Sequence, residues 1–247
     1  MMLTNTRPVR APWVRAARWL MRGQAVIGVW LWATMAVVGT VVITLLDRFA
    51  EVEVSIFQFS RHGALWTGFA MAIIFCVAGI AAHVGNGLTR AAFVRATVTV
   101  GVVVGVAYAV LVGLGLEVEG MVYAANGWSH VGSGGGVGDQ NGFAPDAGLG
   151  VVPGLVLSFV AGQLSGLLVG MAYYRLGGWW GTVVLPLTLG PIYLVGSPDL
   201  TTGQFQLLAA LDPSAPVTAL VSVIVLALAA LAYYLLARDV PIRKVAS

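Results

Sequence analysis

The chain has 247 residues, of which 59% are hydrophobic and 9% charged, with a mean hydropathy of +0.91 and a net charge of +3. Soluble domains carry about 25% charged residues, so this composition cannot cover a water-facing exterior and points to an integral membrane protein. The basic residues are spread over the gaps between apolar runs, which excludes a nucleic-acid surface, and the one cysteine, Cys76, excludes an intramolecular disulfide.

A helix rises about 1.5 Å per residue and the bilayer hydrocarbon is about 30 Å thick, so a crossing takes about 20 apolar residues. Six stretches meet or approach that length: 25–46, 63–82, 98–116, 151–173, 179–196 and 216–237. The fifth is the shortest and is interrupted by Pro186 and Pro191. The predicted fold class is an all-α integral membrane protein with six transmembrane helices spanning 25–237. Charges fall only between these stretches and are sorted by sign. The gaps of one parity, at the N-terminus, 83–97, 174–178 and the C-terminus, hold eleven of the 13 Lys and Arg residues and a single acid, Asp239. The opposite gaps hold Arg48 and Arg61 but nine of the ten acids. Lys and Arg accumulate on the cytoplasmic side of membrane proteins, so both termini are predicted there.

The cytoplasmic segment 1–24 contains Trp13, Arg15, Arg18, Leu20 and Arg22. The three arginines recur at steps of three and four, so a helix carries them on one face, with Trp13, Ala16, Ala17, Leu20 and Met21 largely opposite. Such a segment predicts an amphipathic helix lying in the membrane interface, or, more simply, a basic tail that sets topology. The first outer gap, 47–62, is short and polar.

The next gap, 83–97, reads Gly85-Asn86-Gly87-Leu88-Thr89-Arg90, then Phe93 and Arg95. Gly and Asn adopt left-handed backbone readily and end the preceding helix. Thr89 is placed to cap a new short helix, from which Phe93 would project as an apolar knob between two arginines. A knob of this kind suits a groove on a soluble partner.

The outer gap 117–150 contains a glycine run at 132–138 without the Lys-Ser/Thr of a phosphate-binding loop and without a preceding strand, so it reads as a surface loop. In the fourth stretch Gly154, Ser158, Gly162, Gly166 and Gly170 recur every fourth residue. They form one smooth helix stripe that lets backbones approach closely. Packing within the chain and a subunit interface both fit such a stripe. Within the outer gap 197–215, residues 200–211 are half apolar and bracketed by Pro198 and Pro213, which predicts a helical element at the outer face. The tail 238–247 is cytoplasmic.

No ionisable residue lies deep in any apolar stretch, although ion-coupled transporters usually keep one. Ser165, in Gly162-Gln163-Leu164-Ser165-Gly166, would need a base to act as a nucleophile, and no histidine follows His130. No metal-ligand spacing occurs among His62, His83 and His130. The chain is therefore not expected to be an enzyme or to bind a cofactor or metal.

The Asn86–Arg90 run followed by Phe93 resembles the cytoplasmic coupling segment of bacterial ABC exporter permeases of the second type. The resemblance extends over most of the chain: an amphipathic helix before the first span, six spans with both ends inside, the coupling segment after span two, and an outer helical element between spans five and six. It implies a multi-pass permease subunit in a bacterial cell membrane. The permease would pair with a second, identical or related permease and dock on a separate cytoplasmic ATPase through Gly85–Arg95, with ATP and Mg on that partner. The cargo would be amphipathic or hydrophobic. The glycine-rich outer loop departs from the minimal family layout. The competing expectation is a non-enzymatic assembly or sensor subunit that binds another membrane protein through the glycine stripes.

Overall fold

A computed structural model describes residues 11–49, 55–128, 145–195 and 215–241. The glycine run at 132–138 and the predicted outer helical element at 197–215 lie outside these, apart from Ala215. Among the described residues all regular structure is helical. Helix α1 spans Pro12–Phe49, and a 3-10 turn at Phe57–Phe59 leads into α2, Ser60–Gly85. Helix α3 spans Arg90–Asn126, and a second 3-10 segment, Pro145–Val151, precedes α4, Val152–Val183. The short α5, Leu185–Thr188, and α6, Gly190–Val195, follow, and α7 covers Ala215–Arg238.

Among the described residues five helices are long and apolar enough to cross a membrane, namely α1, α2 with its leading turn, α3, α4 and α7. The predicted fifth span is not one continuous helix. Gly177, at φ 80° and ψ −178°, breaks α4, and the segment beyond it continues as the end of α4, then α5 and α6. Each proline lacks an N–H donor and its ring clashes with the carbonyl four residues earlier, so Pro186 and Pro191 confine this segment to short helical pieces.

Two other boundaries differ from the sequence reading. Helix α1 runs through 38 residues, and the predicted interfacial segment 13–22 is part of that one helix. The apolar face of 13–22 packs on the bundle: Ala16 and Leu20 are buried, and Ala17 and Met21 partly so. An amphipathic pattern records only that an apolar face is covered, and here α2 and α3 cover it. Helix α3 likewise absorbs the predicted coupling helix at one end. At the other it continues through ten residues of the predicted outer gap to Asn126, where Gly127 terminates it at φ 72°.

Helix α4 is the axis of the bundle. Its glycine stripe faces α2: a methyl group on Gly162 would stand 2.7 Å from Leu65 Cδ1, one on Gly170 3.1 Å from the Ile73 carbonyl oxygen, and one on Gly166 would collide with the Phe69 carbonyl oxygen. From the other side α3 presents its own small residues; a methyl on Gly105 would stand 3.0 Å from the Val160 nitrogen. Without a hydrophobic drive between helices in lipid, close backbone approach supplies the attraction. The stripe is thus used within the chain at Gly162, Gly166 and Gly170. Ser158 is buried and its hydroxyl donates to the Gly154 carbonyl at 3.2 Å, while a methyl group on Gly154 would meet nothing within 4 Å.

Helix α1 is the most peripheral. Only Ala16, Leu20, Gln24 and Gly28 are buried, at a spacing of four and all in its first half. The second half exposes Val37, Val38, Val41, Leu45 and Phe49, a surface suited to acyl chains.

Contacts fix which termini share an end of the bundle. The Arg95 guanidinium lies 6.0 Å from the Trp13 ring centroid, Arg90 Nε donates to the Val240 carbonyl at 3.1 Å, and Arg175 Nη1 donates to the Leu236 carbonyl at 2.8 Å. The start of α1, the α2–α3 turn, the Arg175 region of α4 and the end of α7 therefore lie together. At the opposite end two acids of α3 hold the incoming connections. The buried Glu119 carboxylate accepts the N–H groups of Ile56 at 2.9 Å and Phe57 at 2.8 Å and the Ser55 hydroxyl. Glu117 accepts the N–H of Leu149 at 3.0 Å.

Candidate functional site

The α2–α3 turn is built by local sequence. The Leu88 N–H bonds to the His83 carbonyl at 3.0 Å and the Gly87 N–H to the Val84 carbonyl at 3.1 Å, the paired bonds of a Schellman helix end. That motif requires left-handed backbone at Gly87, which has φ 89°, and only glycine takes it without a side-chain penalty. Asn86 adds a side-chain bond from Nδ2 to the Ala82 carbonyl at 2.7 Å. Thr89 is extended, and its Oγ1 accepts the Ala92 N–H at 3.2 Å, capping α3. The predicted end of one helix and cap of the next are both present.

Beside this turn runs an open groove of ≈ 580 Å³. One wall is the first turns of α1, with Pro12, Arg15, Ala16 and Trp19, and the other is Ala82, His83, Asn86, Gly87 and Leu88. Arg15 and Asn86 are exposed and Trp19 is 54% exposed. The groove therefore presents a cation, an indole and the turn backbone side by side. Under it an aromatic ladder ties three helices together: Trp19 and His83 have ring centroids 5.0 Å apart, and His83 and Phe93 5.8 Å. His83 Nδ1 lies 2.9 Å from the Gly79 carbonyl oxygen. A carbonyl can only accept, so Nδ1 is the donor in this contact.

The predicted coupling residues separate into three groups. Asn86, Gly87 and Leu88 line the groove, and Gly85 and Thr89 are exposed in the turn. Arg90 and Arg95 are engaged with Val240 and Trp13. Phe93 is 0% exposed and packs under Gly79 and His83, so it is not a knob offered to a partner. The reason is register: the coupling segment is the first turn of a long helix whose buried face runs Phe93, Val94, Thr97, Val100, Gly101, and Phe93 falls on that face. Of the residues assigned to the N-terminal helix, Arg15, Arg18 and Arg22 are exposed, Trp13 is half-buried beside Arg95, and Leu20 belongs to the core.

Sequence reasoning missed the groove because it needs both elements: residues about 70 positions apart in the chain form its two walls. It also missed Glu117 and Glu119, which read as charges in a gap and serve as acceptors for backbone N–H groups. Among the described residues no group of three His, Cys, Asp or Glu could hold a metal ion, and Ser165 is fully buried with no hydrogen-bond partner for its hydroxyl. No protein-family model, curated protein or solved structure matches the chain.

Proposed function

We propose that the chain is the membrane-spanning permease subunit of an ATP-driven exporter in a bacterial cell membrane, and that a separate cytoplasmic ATPase subunit docks on the groove between α1 and the α2–α3 turn. The observation that carries this reading is the groove itself. It opens at the end of the bundle where the basic segments gather, and it joins the two segments that the family resemblance assigns to ATPase contact. ATP and Mg would be held by that partner, and a second permease subunit would complete the translocation path for an amphipathic or hydrophobic cargo.

Six crossings with both termini cytoplasmic are the topology that goes with this reading. The contacts of Arg90, Arg95 and Arg175 support it. The starts of α1 and α3, the ends of α2 and α7, and Arg175 of α4 lie at one end, so this reading calls for one further crossing between Arg175 and α7. The broken segment 178–195 is the stretch available for that crossing, about 27 Å at helical rise. Arginine-rich ends face the cytoplasm, which sets the direction.

The docking surface differs from the one the motif alone suggests. It consists of Arg15, Trp19, Asn86, Gly87 and Leu88, with Phe93 beneath it as support. A cysteine introduced at exposed Ala82 should crosslink to the ATPase in native membranes, whereas one at exposed Val41, at the far end of α1, should not. Equal crosslinking at both positions would refute the assignment. The second reading is a non-enzymatic assembly or sensor subunit. It is favoured by the exposed apolar second half of α1, which could receive another membrane helix, and it predicts no ATPase at Ala82.

A further inference from the structure

Each of the five long helices contributes one polar side chain to a single layer inside the bundle. Cys76 of α2 lies 3.7 Å from the hydroxyl of Tyr233 of α7, and that hydroxyl lies 3.0 Å from Thr97 Oγ1 of α3. Thr97 Oγ1 is also 3.1 Å from the Phe93 carbonyl oxygen and 3.0 Å from that of Val94. A carbonyl only accepts, so the Thr97 hydroxyl donates to the backbone and accepts from Tyr233, leaving one lone pair. Beyond Thr97 the series stops at a small void of ≈ 10 Å³, walled by Thr97, Gln24 of α1 and Gln163 of α4 among apolar neighbours such as Leu20 and Leu167. Gln24 is 4% exposed, and its Oε1 is buried with no hydrogen-bond partner.

The glycines around Gln163 make room for it. A methyl on Gly68 would stand 2.7 Å from Gln163 Nε2, and one on Gly101 would stand 3.2 Å from Gln163 Cβ. Two helices thus give up side chains at the position where a large polar group enters the core. A void of about 10–15 Å³ holds one water, provided that two to four polar partners surround it. Here Gln24 and Thr97 supply acceptors and Gln163 supplies both a donor and an acceptor.

We propose that this void is a binding site for one water molecule, which completes a polar layer running from Cys76 through Tyr233 and Thr97 to Gln163 and Gln24. The water is the joint between α1 and the bundle. Gln24 is one of only four buried residues of α1, and without the water its acceptor has no partner in a medium where unpaired polar groups are costly. The site is independent of what docks at the groove.

X-ray radiolytic footprinting of the full-length protein in nanodiscs with 18O-labelled water tests this, because hydroxyl radicals formed from a bound water oxidise the side chains beside it. Leu20 and Leu167, at 1% and 3% exposure, should be oxidised several-fold more than Leu116 and Leu155, at 0% and 2%. The Gln24→Leu variant should reduce the first pair to the level of the second. Equal oxidation of the two pairs in the wild-type protein would overturn the site even if the variant fails to fold. Labelling of Leu20 and Leu167 that persists in folded Gln24→Leu would overturn it as well, since it would report bulk solvent entering.

Discussion

Arg90 Nε donates to the Val240 carbonyl at 3.1 Å, so the first residue of α3 is tied to the segment that follows α7, 150 positions away in the chain. The turn beside the groove is thereby linked to the end of the last helix. Arg90 is half-buried, and a hydrogen bond from a charged donor in such a setting contributes about 1 kcal/mol. Arg90→Ala should accelerate amide exchange in the peptide covering residues 236–241 without unfolding the bundle. Unchanged exchange there would show that the tie does not hold the C-terminal segment.

Phe93 supports the groove from below. Removing a fully buried aromatic ring costs about 3–5 kcal/mol, and here it would also free His83 and Trp19 to shift. Phe93→Ala should lower the thermal unfolding midpoint by several degrees in detergent. Arg15→Glu, at an exposed position, should leave the midpoint nearly unchanged. A stable Phe93→Ala protein that has lost only its partner would restore Phe93 as a direct contact.

The two acids of α3 differ in what depends on them. Glu119 is buried and accepts two backbone N–H groups and a hydroxyl, and each donor left unsatisfied costs about 1–3 kcal/mol. Glu117 is half-buried and accepts one N–H, that of Leu149. Glu119→Ala should destabilise the protein by about 3 kcal/mol and Glu117→Ala by about 1 kcal/mol, read from thermal unfolding of the two variants side by side. The reverse order would contradict the assignment of the α1–α2 connection to Glu119.

The glycine stripe of α4 makes a position-dependent prediction. Gly166→Ala places a methyl against the Phe69 carbonyl oxygen, which is backbone and cannot rotate away, so α2 and α4 must separate. Overpacking of this kind costs about 1–3 kcal/mol. Gly154→Ala, with nothing within 4 Å, should be neutral or stabilising by about 0.5 kcal/mol through reduced chain entropy. Unfolding measurements that find the two substitutions equivalent would place the stripe outside the packed interface.

Much of the fold was legible because burial in lipid is written as long apolar runs. The helix end at Asn86–Gly87 and the cap at Thr89 were legible because turn chemistry is local. What was not legible depends on how far a helix continues. Arg22 looks like a membrane boundary, yet Ala16, Leu20, Gln24 and Gly28 form one stripe that passes it. Phe93 looks like a knob when the helix is short and like core once Thr97, Val100 and Gly101 are placed on its face. Glu119 looks like a loop charge until Ile56 and Phe57 are brought to it by the fold. Gln163 carries no signal of its partners because Gly68 and Gly101 lie on other helices.

Docking of an ATPase on the groove is tested by affinity purification of the native complex under mild extraction, comparing the wild-type chain with an Arg15→Glu/Ala82→Glu double variant. Both substituted positions are exposed and line the groove, so the bundle should remain folded while the groove reverses its charge. A nucleotide-hydrolysing subunit should accompany the wild-type chain and be lost from the double variant at unchanged thermal stability. A wild-type chain isolated without any such subunit, or a double variant that retains it, would contradict docking at the groove.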